Sequence, residues 1–230
     1  MAREVEATRS TTPVRVPIGE RWLPGDLGLP AEAHGIVLFA HGSGSSRHSP
    51  RNKYVARALE RRGLATLLID LLTPEEEAID ERTAQYRFDI GMLALRLATI
   101  VDWLRRRQDT SLLPIGLFGA STGGGAALMA AAARPKEIAA VVSRGGRPDL
   151  AGTALPRVAT PTLLIVGALD TSVIQMNRDA MRQMRTDVAL EIVPGATHLF
   201  EEPGALERVA ELAGNWFSRH LQPAQATRPL

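Results

Sequence analysis

Six short apolar runs mark the chain, at residues 35–40, 64–70, 114–118, 138–143, 162–166 and 188–193, each with glycine or proline nearby. Apolar runs of this length, without polar alternation, predict strands buried on both faces of a parallel sheet. Between them, residues 54–62 and 89–107 carry apolar side chains three and four apart. Residues 126–133 are alanine-rich, and 173–185 and 203–220 alternate apolar and charged faces. These segments predict amphipathic helices. Thr73-Pro74-Glu75-Glu76 predicts another helix start, with Thr73 as cap, Pro74 at the first position and Glu76 closing a capping box. The glutamates at 75–77 then serve as dipole partners on a solvated face. Repeated strand–helix alternation of this kind defines an α/β fold with an open, doubly wound sheet. Residues 14–18 and 21–23 predict a leading antiparallel hairpin at its edge. The single domain is expected over 13–221, between disordered tails at 1–12 and 222–230.

Composition narrows the functional classes. A 230-residue chain with 45% hydrophobic and 23% charged residues suits one domain with a sizeable core. The net charge of +2, with basic residues dispersed, gives no footprint for nucleic acid or an anionic membrane. The chain has no cysteine, which excludes disulfides, thiolate metal sites and a cysteine nucleophile together. Residues 1–17 lack the apolar core of a secretory signal, and the apolar stretch 90–104 carries Arg96 and Asp102 and is too short to span a bilayer. The expectation is a cytoplasmic protein.

The chemistry is carried by Gly119-Ala120-Ser121-Thr122-Gly123. By itself Gly-x-Ser-x-Gly arises by chance in roughly one chain in ten of this length, so its setting decides its meaning. Ser121 follows a predicted strand and precedes a predicted helix, where a sharp turn lifts the side chain above the sheet and requires small residues two positions to either side. Gly119 and Gly123 satisfy that requirement, and the Thr122 amide is placed to donate to an oxyanion.

A serine nucleophile needs a base, and the base needs an orienting acid. Downstream of Ser121 only two histidines occur. His198 lies in the loop after the last strand, whereas His220 lies in the last helix, so His198 is the candidate base. Asp170, just past the run at 162–166, is the candidate acid; helix capping is its alternative role, and Asp149 is its rival. The second oxyanion donor is sought in the loop His41-Gly42-Ser43-Gly44, with the Ser43 N–H chosen and Gly42 or Gly44 as alternatives. His41 is expected to brace this loop.

At these residues the chain resembles an α/β-hydrolase, and more closely the dienelactone hydrolase family, over nearly its whole length from about Val14 to His220. The similarity rests on the His41-Gly42 loop, the Gly119–Gly123 elbow, Gly167-Ala168-Leu169-Asp170, Pro194-Gly195-Ala196-Thr197-His198 and the stretch Val142-Ser143-Arg144-Gly145-Gly146-Arg147-Pro148-Asp149. It implies an α/β-hydrolase fold. Family members proper use a cysteine nucleophile; the serine here points to a more general carboxylesterase. The implied activity is cleavage of small carboxylic esters or lactones through an acyl-enzyme; a serine held this way is also expected to attack activated phosphoesters, with either promiscuous turnover or inhibition as the outcome. The segments between strands leave no room for a large cap domain. Arg47, Arg144 and Arg147 fall in loops at the active edge, and Arg144 and Arg47 are the candidate substrate-binding residues.

Other classes fit less well. The glycines at 119, 123 and 125 match a dinucleotide fingerprint in spacing, but that fingerprint belongs after the first strand of its fold. Neither a phosphate-binding Gly-Lys-Ser/Thr loop nor a His-Glu-x-x-His helix occurs. No cofactor or metal is expected. The expected partner is a small-molecule ester or lactone, bound by a monomer or homodimer. The rival reading is a non-catalytic small-molecule binding protein of the same fold.

Overall fold

The computed structural model describes residues 11–222. Strands β1 (Thr11–Ile18) and β2 (Arg21–Gly28) form the expected antiparallel hairpin, and β2 pairs antiparallel with β4 (Leu64–Ile69). From there the sheet is parallel through β3 (Gly35–Ala40), β5 (Ile115–Ala120), β6 (Ile138–Arg144), β7 (Thr162–Gly167) and β8 (Val188–Val193). The spatial order is β1-β2-β4-β3-β5-β6-β7-β8. All six predicted runs are strands. Tail residues 1–10 and 223–230 lie outside the described residues, while Thr11 and Thr12 belong to β1.

Helices α1 (Pro50–Glu60) and α6 (Ala205–His220) cover one face of the sheet. The other face is covered by α3 (Ile90–Arg106) and α4 (Thr122–Ala133), with α5 (Thr171–Met181) packed on the segment 148–157 beside α4. The short helix α2 (Pro74–Thr83) precedes α3. Each face buries its own apolar layer. Phe39 and Phe118 stack at 4.9 Å between ring centroids under α1 and α6, while Leu38 and Leu117 point to the α3–α4 side. Full burial of a side chain of this size contributes about 1.5–3 kcal/mol, so the central parallel strands make a rigid platform.

Local chemistry explains where elements start. Ser49 caps α1 by accepting the Asn52 N–H at 3.3 Å, and Pro50 sits at the first helical position. The Thr73–Glu76 capping box forms as predicted. Glu76, however, is buried rather than solvated, and it accepts from Arg96 at 2.6 Å. Burial opposes its charge, yet the hydrogen bonds from Arg96 and the Thr73 N–H hold its carboxyl below the ordinary carboxylate range.

Two features depart from the pattern. Strand β8 is half-buried, because it is the sheet's edge. Residues 148–157 form a 3-10 segment that no apolar period announces; Pro148, Pro156 and a kink at Gly152 interrupt any longer helix.

Candidate active site

Five loops meet at the carboxyl edge of the parallel sheet, following β3, β5, β6, β7 and β8, which is where α/β sheets place ligands. Ser121 occupies the turn from β5 into α4 with φ +50° and ψ −121°, a conformation that an L-residue holds at a cost of about 1–3 kcal/mol. Its backbone is pinned on three sides. Its N–H donates to the Arg144 carbonyl at 3.2 Å, and its carbonyl accepts from Gly124 at 2.9 Å and Arg147 at 3.0 Å.

The flanking glycines are required by close approach. A Cβ on Gly119 would lie 2.5 Å from the Gly123 carbonyl oxygen and from the Gly124 Cα, and one on Gly123 would collide with the Ala40 and His41 carbonyls. Since the opposing atoms are backbone, Gly119→Ala is expected to cost about 3 kcal/mol or more, read as a lowered urea midpoint; a loss under about 1 kcal/mol would contradict this packing.

His198, in the loop after β8, donates from Nδ1 to Asp170 Oδ2 at 2.6 Å. With Nδ1 so engaged, Nε2 keeps the lone pair that a general base needs. Asp170 stands at the cap position of α5 but makes no side-chain cap hydrogen bond. Its carboxylate therefore serves the imidazole and not the helix. The rival acid Asp149 is instead held by Arg147 through two hydrogen bonds, at 2.9 and 2.7 Å. His220 stacks on Trp216 at 4.5 Å within α6. The Gly145 backbone bridges base and nucleophile loops: a Cβ there would sit 3.5 Å from His198 Cε1, one residue past the Arg144 carbonyl that holds Ser121.

The oxyanion donors are adjacent but not both unengaged. The Ser43 N–H donates to Thr122 Oγ1 at 2.8 Å, which ties the β3 loop to the elbow. The Thr122 N–H belongs to the first turn of α4 and has no acceptor within the helix. Gly42 abuts the nucleophile, with a built Cβ 3.0 Å from Ser121 Cβ.

His41 braces this loop as expected. Its Nδ1 donates to the Gly42 carbonyl at 2.9 Å, and its Nε2 accepts the Leu71 N–H at 3.0 Å. Burial pushes the imidazole below its ordinary value of 6.5, against the opposing pull of the Gly42 carbonyl and Asp70. The unfolded chain thus binds more protons just below that value, so His41 contributes stability above about pH 6.5 that is lost as the pH falls. His220, lowered by burial and by Arg219, acts in the same direction. The melting temperature is expected to fall between pH 7 and pH 5, and His41→Gln to flatten part of that fall; an unchanged slope would contradict the assignment.

The arginines separate sharply. Arg47 is drawn away from the substrate position proposed for it: its guanidinium pairs with Asp70 and lies 3.4 Å from Asp26, and its N–H donates to Asp70 Oδ1 at 2.6 Å. It braces the loop after β3 against β2 and β4. Arg147 is held by Asp149. Arg144, at the end of β6, is only 8% exposed, and its Nε and Nη1 have no hydrogen-bond partner. Burial and nearby Arg51 pull its guanidinium down to about 10, which leaves it protonated at neutral pH. Arg51, on α1, is a member of this neighbourhood that sequence pattern did not single out. Leu169 and Leu199, next to Asp170 and His198 in sequence, are exposed and give the rim an apolar character.

Sheet order, elbow and loop placement define an α/β-hydrolase fold. The profile of the Dienelactone hydrolase family matches residues 23–222, and the chain belongs to that family. It is 62% identical to a dienelactone hydrolase of Anabaena variabilis, with a TM-score of 0.92 over 93% of this chain and 99% of that one. It is also 56% identical over 208 residues to a putative phosphoribosyl transferase of Mycobacterium tuberculosis, matching 90% of this chain and 46% of that protein. The chain thus spans about half the length of the curated relatives it matches. The promiscuous phosphotriesterase P91 from metagenomic libraries, described as dienelactone hydrolase-like, shares the fold at 18% identity and a TM-score of 0.75, over 92% of this chain and 98% of that one. Among the described residues no helix is long and apolar enough to cross a membrane, and no cluster of three or more metal-ligating side chains occurs.

Proposed function

We propose that the chain is a serine hydrolase that cleaves small carboxylic esters or lactones through an acyl-enzyme on Ser121. The observation that carries this reading is the His198–Asp170 hydrogen bond of 2.6 Å, made by an aspartate that forgoes the helix cap it occupies. Ser121 Oγ attacks the ester carbonyl while His198 Nε2 takes its proton. Asp170 stabilises the imidazolium and fixes its tautomer. The Thr122 N–H, and the Ser43 N–H once it turns from Thr122 Oγ1, hold the oxyanion. His198 then gives its proton to the departing alkoxide, and a water attacks the acyl group by the same route in reverse.

The absence of cysteine makes the nucleophile an oxygen, in contrast with thiol chemistry. A nucleophile of this kind also attacks activated phosphoesters, a reading favoured by the likeness in fold to a phosphotriesterase. The test is hydrolysis of p-nitrophenyl esters from acetate to octanoate by wild type and Ser121→Ala. Turnover that falls with chain length and disappears in the variant supports small-ester hydrolysis. No turnover by the wild type on any member would overturn small-ester cleavage in favour of a narrow lactonase or a binding role.

A further inference from the structure

Helix α1 packs over β4, but the sheet continues past it into β2 and β1. Asp26 pairs in register with Leu68, and Gly28 with Thr66, so these four positions share the face on which α1 lies. The step between α1 and the leading hairpin leaves an open cavity of about 560 Å³, a size that takes small organic ligands. Neither Ser121, Asp170 nor His198 lines it. Its floor is apolar, made by the buried Ala56 and Leu68. Lys53 and Arg57 line it from α1, four positions apart and so on one side of the helix. Neither has a carboxylate partner among the described residues. Lys53 Nζ donates to His48 Nδ1 at 3.4 Å. The acids of the cavity are already engaged: Asp26 Oδ2 lies 3.4 Å from Arg47 Nε, and Glu60 Oε1 accepts from Thr66 Oγ1 at 2.6 Å. Glu60 is held close against β2, since a Cβ on Gly28 would come within 2.3 Å of that oxygen. Asp26 Oδ1 and Glu60 Oε2 accept from no group among the described residues. Two uncommitted cations and two acceptor oxygens thus surround one apolar floor.

We propose that this cavity binds a phosphorylated polyol, with its phosphate between Lys53 and Arg57 and its hydroxyl groups donating to Asp26 and Glu60. A phosphate monoester carries a charge of about −1.5 to −2 at neutral pH and three acceptor oxygens, which suits two cations. A lone carboxylate would leave one cation unmatched. An anion without hydroxyl groups would meet the Asp26 and Glu60 carboxylates with repulsion alone. Hydroxyl donors turn those same carboxylates into charge-assisted acceptors. Ala56 and Leu68 receive the C–H groups of the carbon skeleton. The site is independent of the acyl-transfer chemistry at Ser121.

The test is calorimetric titration of the full chain with glucose 6-phosphate, inorganic phosphate and glucose. Glucose 6-phosphate is expected to saturate the wild type with a Kd below about 1 mM, at least about tenfold tighter than either fragment. Lys53→Gln and Arg57→Gln should each weaken it about 10- to 100-fold, the scale of a lost charge-assisted hydrogen bond. Arg57 is exposed and Lys53 half-buried, so both variants keep the apolar floor and should melt with the wild type. Arg57→Lys should recover part of the lost affinity. Glu60→Gln should weaken glucose 6-phosphate without weakening inorganic phosphate. Lys53 and Lys136 are the two lysines of the chain, so reductive methylation followed by peptide mass spectrometry locates the ligand. Glucose 6-phosphate should protect Lys53 and leave Lys136 as reactive as before. Unchanged affinity in both Lys53→Gln and Arg57→Gln would overturn the proposal. So would inorganic phosphate that binds as tightly as glucose 6-phosphate, or a wild type that glucose 6-phosphate does not saturate.

Discussion

Ser121→Ala is expected to lower kcat for p-nitrophenyl acetate by on the order of 10⁶, the usual loss when the nucleophile of such a constellation is removed. The fold should survive the change. What pins the elbow is the Ser121 backbone, through its bonds to Arg144, Gly124 and Arg147, and alanine keeps all three. Thermal midpoints of the two proteins should therefore agree within a few degrees, so that lost activity cannot be read as lost structure. Retention of more than about a thousandth of the wild-type rate would show that the hydroxyl is not the attacking group.

The second large effect is expected at the acid. Asp170→Asn replaces an acceptor by an amide, whose NH₂ group favours a ring with an unprotonated Nδ1 and a proton on Nε2. That tautomer cannot accept a proton from Ser121, and kcat should fall by on the order of 10⁴. Asp149→Asn supplies the control. Its carboxylate belongs to the Arg147 pair, and its loss should leave kcat within about threefold. A comparable loss from both variants, or a loss of less than tenfold from Asp170→Asn, would remove Asp170 from its role.

The parallel sheet was legible because each strand is a short apolar run bounded by glycine or proline, and because helical spacing fills the gaps. The elbow was legible for a steric reason: only glycines at 119 and 123 let α4 approach β5 and the ends of β3 so closely. Candidate base and acid followed from their places after successive strands. The arginines were less legible, because their roles depend on contacts between distant parts of the chain. Arg47 is bound by Asp26 and Asp70, on strands β2 and just after β4, and only the order β2-β4-β3 brings those carboxylates to it. Arg144 ends an apolar strand, and the alternation of β6 already put it on the face of Ala140 and Val142. Its lack of a partner, and the nearness of Arg51, needed the position of α1. The Ser43–Thr122 hydrogen bond spans 79 positions and has no local signature.

A covalent acyl-enzyme on Ser121 can be observed directly by peptide mass spectrometry. Wild-type protein is mixed with excess p-nitrophenyl acetate, quenched in acid within the first turnovers and digested. An added acetyl group is expected on the peptide that contains Ser121, absent after the same treatment of Ser121→Ala and chased away when substrate is exhausted. Turnover with an acetyl group on any other residue, or an acetylated Ser121 that never clears while product accumulates, would contradict it.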